Sequence, residues 1–353
     1  MKLTGKNILI ISPEPWHHIF VSKHHYAQFL ALSGNRVVFA NPPGNSWRLE
    51  LLEKEGLTIL DYPRFILGLR KLPAFISRCL ILRRFKQIEK VCQIRFDIVW
   101  SFDNSVFFDF TLLPAFCLHH IVDYNMNFEI AKSASTADIC LFVSEPIGRR
   151  LMKYNSNSYF INHGFNSLDQ NLRSKSRFLT KNSGVNIGYA GNLDIKYIDW
   201  DTIQKAVEQL PNCQFYFAGS SKKNKEVFSN SNVHLVGVLD QVNLQQFYKE
   251  MDVLIICYDS NQYKDQLANP HKMMEYLGSG KPIVSSFSET YAENLDIQMS
   301  SSKEEWLPLL KSTIENLDHW NSKKLQRRRQ KVALDNTYPT QIQRIEKLIH
   351  HDE

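Results

Sequence analysis

The sequence predicts two doubly wound α/β domains in tandem. Three observations carry this. At 353 residues the chain is longer than one hydrophobic core usually organises. Short apolar runs alternate with segments of helical periodicity in both halves. A polar stretch, NSLDQNLRSKSRFLTKNSG at 166–184, separates the two series. The apolar runs are continuous rather than alternating, as expected for parallel strands covered on both faces.

In the first half, NILIIS (7–12) reads as a strand and SKHHYAQFLALSG (22–34) as a helix ending at Gly34. RVVFAN (36–41), DIVWS (97–101), HIVDY (120–124), DICLFVS (138–144) and SYFIN (158–162) follow as further strands. In the second half the strands are NIGYAG (186–191), QFYFAGS (214–220), VHLVG (233–237), DVLIIC (252–257) and PIVSS (282–286). Helices lie near 200–210, 240–250 and 270–279. Three more close the chain near 303–317, 320–334 and 339–350. The expected domains are 1–165, a linker over 166–184, and 185–335. Ligands of doubly wound sheets bind beyond the carboxyl ends of the strands, so a cleft between the two domains is expected to hold the site.

Composition bounds the function. The chain is 43% apolar and 22% charged, ordinary for a soluble globular protein. No run of about 18 apolar residues exists to span a bilayer. NILIIS is too short for the core of a signal peptide. Six cysteines are scattered without a CxxC, which points to a reducing cytoplasm and away from zinc or disulfides. Twelve histidines form no HExxH, so no metal site is expected.

NPHKMMEYLGSGKPIVSS (269–286) concentrates the chemistry. Asn269 suits an N-cap, Pro270 the first helical position, and Gly280 the left-handed residue after the helix. Lys272 and Glu275 are three apart and share a helix face. Neither half carries GxGxxG after its first strand, and no GxxxxGK[ST] exists, which weighs against dinucleotide enzymes and P-loop ATPases. The remaining anion site is a bare helix N-terminus, with Lys272 adding charge in its first turn. Glu275 can accept two hydrogen bonds from a vicinal diol. A phosphate grip, a cation and a diol acceptor together suit a nucleoside diphosphate.

The series NIGYAGNLDIKYIDWDTI, QFYFAGS, NVHLVGVLDQVNLQQFYKEMDVLIICYD and NPHKMMEYLGSGKPIVSS resembles the nucleotide-sugar-binding half of GT-B glycosyltransferases. It is most similar to bacterial capsule, exopolysaccharide and cell-wall hexosyltransferases of the retaining type. PEPWHHIFVSKHHYAQFLALSGNRVVFANPPG resembles their first domain more loosely. DNTYPTQIQRIEKLI resembles their last helix, which returns to that domain, here at about 336–353. The resemblance implies two Rossmann-like domains facing across a cleft. It implies that Glu275 holds the ribose hydroxyls and that Asn269, Pro270 and Lys272 face the diphosphate. Gly191, Asn192 and Lys196 would form the other side of the phosphate site, with Gly219 beside them. Val238 and Leu239 would pack on the base. Asp123 falls where the family places a polar group near the reacting sugar. Two departures stand out. Leu267 occupies the position of a second carboxylate, and the usual pair of phosphate-binding cations is reduced to Lys196.

The expected activity is transfer of a hexose from a UDP- or GDP-sugar to a hydroxyl of a glycan acceptor, lipid-linked, in surface polysaccharide synthesis. It would be retaining, metal-independent and without a cofactor beyond the donor. Two other readings stay open: a nucleotide-sugar epimerase of the same fold, and a non-catalytic carbohydrate- or nucleotide-binding partner.

Several features have plainer readings. Trp16, His17 and His18 suit loop packing, His163 a hinge, His119 and His120 a strand interior, and Asp199 a helix cap. KKLQRRRQK (323–331) suits a solvated helix face. Residues 64–95 hold nine Arg/Lys and one Glu among Phe, Ile and Leu. That is either an ordinary amphipathic helix or a contact with an anionic membrane surface, peripheral on its inner face. No nucleic-acid motif accompanies the charge.

Overall fold

The computed structural model describes residues 2–53, 56–123, 129–167, 178, 184–222 and 226–350. Two compact units appear: Met1–His163 with Tyr338–Glu353, and Gly164–Thr337. Most of the expected 166–184 linker lies outside the described residues. No helix among the described residues is long and apolar enough to cross a membrane.

The first unit is built on an eight-stranded sheet. Its strands are β1 (Asn7–Ile11), β2 (Arg36–Ala40), β3 (Arg48–Leu52), β4 (Leu57–Asp61), β5 (Ile98–Ser101), β6 (Phe116–Ile121), β7 (Ile139–Phe142) and β8 (Ser158–Phe160). The order is β3-β4-β2-β1-β5-β6-β7-β8. Only β3 with β4 is antiparallel. β1, β2, β5 and β7 are apolar because both sheet faces are covered. One face carries α1 (Ser22–Leu32) and α11 (Tyr338–His350), with Tyr26, Phe29, Tyr338, Ile342 and Ile345 buried together. The other carries α2 (Ala74–Cys92), which buries Ile81, Phe85 and Ile88, and two short helices, α3 (Ala131–Thr136) and α4 (Glu145–Leu151), complete the unit.

Three sequence expectations need correction here. The strand expected over 120–124 runs instead over Phe116–Ile121, because Phe116 pairs with Ile98 and the run ends at the carboxyl edge shared with β5. β3 and β4 were not expected; RLELL is largely exposed, so its apolar residues mark an edge strand, not a core one. The basic run 64–95 is also not one uniform face. Arg78 donates to buried Asp109 at 2.9 Å. Arg84 lies over Trp47 and Phe65, and Arg70 over Phe108. These three arginines make contacts within the unit rather than facing only solvent.

The second unit has a six-stranded, all-parallel sheet in the order β11-β10-β9-β12-β13-β14. The strands are β9 (Asn186–Ala190), β10 (Gln214–Ala218), β11 (Val233–Gly237), β12 (Val253–Ile256), β13 (Ile283–Ser286) and β14 (Gln298–Ser300). Helices α5 (Trp200–Gln209), α6 (Gln241–Glu250), α7 (Lys272–Ser279), α8 (Lys303–Glu315), α9 (Leu317–Trp320) and α10 (Lys323–Leu334) complete it. Asp199 and Asp240 cap α5 and α6 by accepting from Thr202 and Asn243 N–H.

The basic run at 323–331 is not a wholly solvated face. Arg329 is fully buried in α10 and donates to the carbonyls of Gly280, Asp296 and Trp320. Burial, opposed by Asp296, pulls its guanidinium down to about 10. Gly280, at φ +77, ends α7 as expected. Arg329 therefore fixes the carboxyl end of α7, and the ring of Phe165 packs where a Cβ on Gly278 would stand. The opposite end of α7 carries Lys272 and Glu275.

Candidate functional site

α7 begins later than the sequence suggested. Its N-cap is His271, which contributes no side-chain cap, rather than Asn269. Met273 N–H donates to the Pro270 carbonyl at 3.0 Å, so Pro270 and His271 form a lead-in turn. Asn269 is buried just before it. The first turn still presents Lys272 and, one turn on, Glu275.

Lys272 reaches back to the carboxyl edge of the sheet. Its Nζ donates to Tyr189 Oη at 3.2 Å and to Tyr258 Oη, and lies 4.7 and 4.9 Å from the two ring centroids. The two phenols are themselves 3.0 Å apart. Burial raises the Tyr189 hydroxyl well above its ordinary value, so it stays a neutral partner. An ammonium has three donors, and two tyrosines take two, leaving one for a ligand oxygen among the described residues.

Two glycines bring backbone close to this cation. Gly191 follows β9 at φ +149, and a Cβ there would stand 3.1 Å from both Lys272 Nζ and Tyr189 Oη. Gly219 follows β10 at φ +151, and a Cβ there would stand 1.8 Å from the Gly191 carbonyl oxygen. Only glycine fits this approach. The loops are zipped together: Gly191 N–H donates to Ala218 O at 2.8 Å and Leu193 N–H to Ser220 O at 3.0 Å.

Glu275 is partly buried and accepts from Tyr248 Oη at 2.6 Å. Burial pushes its carboxyl above the ordinary range, while the Tyr248 hydrogen bond and the charge of Lys272 oppose the shift. Tyr248 bonds Oε2 and orients the carboxylate, and among the described residues no hydrogen bond holds Oε1.

The structure thus brings together Gly191, Gly219, Lys272 and Glu275. Pro270 leads into the same helix. The other expected residues stand differently. Asn192 is exposed and its Oδ1 accepts from Asp194 N–H at 2.9 Å, so that side chain is turned into its own loop. The exposed Lys196 lies over the rings of Tyr263, at 5.1 Å, and Tyr197, at 5.7 Å. Val238 is exposed after β11, whereas Leu239 packs against the core. Leu267 is buried in that core, which explains an apolar residue there. Sequence reasoning missed Tyr189, Tyr258 and Tyr248. The signal was present: Tyr189 and Tyr258 stand at the carboxyl ends of otherwise aliphatic strands.

Asp123 belongs to the first unit. It lines a pocket of about 330 Å³ beyond the carboxyl ends of β1, β2, β5 and β6, with Glu14, Lys23, Asp103 and His119. Asp103, which the sequence reading passed over, is buried and accepts from Ser105 N–H at 2.8 Å. Burial raises its carboxyl, against the Ser105 hydrogen bonds.

The arrangement matches solved proteins over its whole length. The chain superposes on HepE of Anabaena, solved with UDP-glucose, at a TM-score of 0.71, covering 98% of this chain and 100% of that one. The fold is GT-B. Identity to HepE is only 12%, so the likeness is one of fold. Sucrose-phosphate synthase from Thermosynechococcus elongatus superposes at a TM-score of 0.69 with 13% identity, covering 98% of both chains. A structure named trehalose-6-phosphate from E. coli, bound with UDP-2-fluoro glucose, superposes at a TM-score of 0.64 with 11% identity, covering 97% of this chain and 98% of that one. By sequence, the chain is 28% identical over 106 residues to TuaH of Bacillus subtilis, whose name describes a glycosyltransferase of teichuronic acid biosynthesis. That match spans 29% of this chain and 26% of TuaH. No protein-family model matches the chain.

Proposed function

We propose that this protein is a glycosyltransferase that moves a hexose from a UDP- or GDP-sugar to a hydroxyl of a glycan acceptor, lipid-linked, in surface polysaccharide synthesis. The observation that carries the reading is the Lys272 ammonium, held by two tyrosines beside the close-packed backbone of Gly191 and Gly219, with Glu275 one turn away. The ammonium and the first N–H groups of α7 meet the charge that grows on a departing diphosphate. Glu275 takes the ribose diol. Asn269 and Pro270 shape the entry to α7, Lys196 adds charge, and Asn192, Val238 and Leu239 complete the donor pocket. The fold shared with a protein solved with UDP-glucose supports the donor class.

Transfer proceeds with retention in this reading. A donor phosphate oxygen accepts the proton of the attacking hydroxyl on the face the diphosphate leaves, and no protein base is used. Inversion would require a base such as Asp123. The test is incubation with a panel of UDP- and GDP-hexoses and glycan acceptors in excess EDTA, with the product anomer read by NMR. Expected is transfer with the donor's anomeric configuration kept, undiminished by EDTA. Epimerised donor, binding without turnover, or activity lost to EDTA and restored by magnesium would each overturn its part of the reading.

The reading also places the enzyme in the cytoplasm, on the inner face of a membrane. Arg64, Lys71, Arg83, Lys86 and Lys90 are exposed, as are Ile66, Leu67 and Phe75, with Leu67 fully so. Cations around exposed apolar side chains suit anionic lipid, at about 1 kcal/mol per cation near the surface. Changing Arg83, Lys86 and Lys90 together to Ser is expected to abolish co-sedimentation with anionic vesicles and leave melting unchanged. Equal binding by the triple variant would refute the contact.

A further inference from the structure

Tyr248 is buried in the last turn of α6, and its hydroxyl meets Glu275. Its ring is 1% exposed. It packs edge-on against Tyr276 of α7, with centroids 5.3 Å apart, and beside Phe247 at 6.0 Å. A phenylalanine would make those contacts equally well. The hydroxyl is the part that packing does not require, and burying it has to be offset by a hydrogen bond. It donates to Glu275 Oε2 at 2.6 Å, the length of a charge-assisted bond. The phenol stays protonated, because burial and the neighbouring carboxylate both raise it well above its ordinary value.

Two effects compete at this carboxyl. Burial favours the neutral acid, while the Tyr248 hydroxyl and the Lys272 ammonium favour the anion. The other titratable groups that act on this pair are phenols, Tyr276 on the same helix and Tyr189 of β9. α10 meets the far end of α7, through Arg329 and Gln330 at Gly280. The protonation state matters for a diol: a carboxylate accepts on both oxygens, whereas the acid keeps a proton on one. Geometry matters as well. The terminal torsion of a glutamate is broad and two-fold, so an untied carboxylate swings. A hydroxyl fixed from α6 on Oε2 sets the plane of the group, and with it the place of Oε1.

We propose that Tyr248 is a positioning residue: it aims the Glu275 carboxylate at the ribose 2′-hydroxyl and so makes the site select ribonucleotide over 2′-deoxyribonucleotide donors. This selectivity rests on the transferase reading, in which Glu275 takes the ribose diol, and it names the residue behind that contact. A site built to bond a hydroxyl rejects the analogue that lacks it, because its buried acceptor is left unpaired.

The test uses the full chain and calorimetry with UDP and 2′-deoxy-UDP, and with GDP and 2′-deoxy-GDP. Each pair is read as a ratio of affinities, so that titration of the phosphates cancels. The wild type is expected to favour the ribonucleotide of at least one pair by about tenfold or more near neutral pH. Tyr248→Phe is expected to lower that ratio by about threefold or more. Acidification should also lower the ratio, as Glu275 takes up a proton. That fall should come at a pH higher by about half a unit or more in Tyr248→Phe, which lacks a hydrogen bond to the anion. A merely structural tyrosine would weaken both nucleotides alike and leave that midpoint in place. In the Glu275→Ala background nothing remains to be aimed, so the ratio should be near one and Tyr248→Phe should not change it. A wild-type ratio near one, a ratio or a midpoint unmoved by Tyr248→Phe, or an equal effect of Tyr248→Phe in the Glu275→Ala background overturns the proposal while nucleotide binding itself stands. Failure of all four nucleotides to bind overturns the transferase reading, and the proposal falls with it.

Discussion

Lys272→Ala is expected to lower kcat by about 10²–10³-fold, the scale for removing one charge-stabilising donor from a preorganised site. The lysine is held by two phenol oxygens and two ring faces, so it is in place before the donor arrives. Charge grows on the diphosphate as the glycosidic bond breaks, so the loss falls more on kcat than on KM. The fold should survive, because Tyr189 and Tyr258 still hydrogen-bond each other at 3.0 Å. Lys272→Arg is not expected to rescue activity: a planar guanidinium does not match a slot built around a compact ammonium. A kcat within threefold of wild type for the alanine variant would remove Lys272 from the site.

Glu275→Gln separates binding from stability. Losing the carboxylate should weaken nucleoside diphosphate binding by about 1.5–3 kcal/mol, roughly 10- to 150-fold, the scale of a hydrogen bond to a charged group. Stability should move the other way. The folded carboxyl titrates above its ordinary value because burial disfavours the anion. Its favourable contribution is then fully present below the unfolded pKa and is lost as pH rises through the folded one. Gln carries no such loss, and its amide oxygen can still accept from Tyr248. The variant should therefore melt above wild type at neutral pH, and the gap should close as the solution is acidified below the ordinary range for Glu. Calorimetry for UDP and GDP, and melting between about pH 4 and 8, check both halves. Unchanged affinity, or a gap that widens in acid, would contradict the assignment.

Much of this was legible in the sequence, for identifiable reasons. Strands β1, β2, β5, β9, β10 and β12 are buried on both faces, so each is a continuous apolar run bounded by turn residues. Gly191 and Gly219 sit after such runs, and Gly280 where α7 must stop. What was missed depends on contacts between distant segments. RLELL pairs only with its neighbour at an edge, and nothing in its composition distinguishes it from a loop. Arg329 and Arg78 look like their solvated neighbours until the carbonyls and the carboxylate they serve are placed. The tyrosines around Lys272 come from β9 and the end of β12, 83 and 14 residues away.

The return of α11 to the first sheet has a consequence for the order in which the molecule is made. Tyr338 stacks on His25 and Phe29 and meets Tyr26 edge-on, and Leu3 N–H donates to Glu346 at 2.6 Å. Residues near the start of the chain thus wait for a partner more than 300 residues later. A ribosome releases the segment Gly164–Thr337 before that partner exists, and this segment, continuous in sequence, holds all its own strands. The second unit can close its core first, while the face of α1 that α11 covers stays open to solvent. During that interval the rings of Tyr26, Phe29 and His25 that Tyr338 meets lack that partner, and it ends only as residues 338–350 emerge.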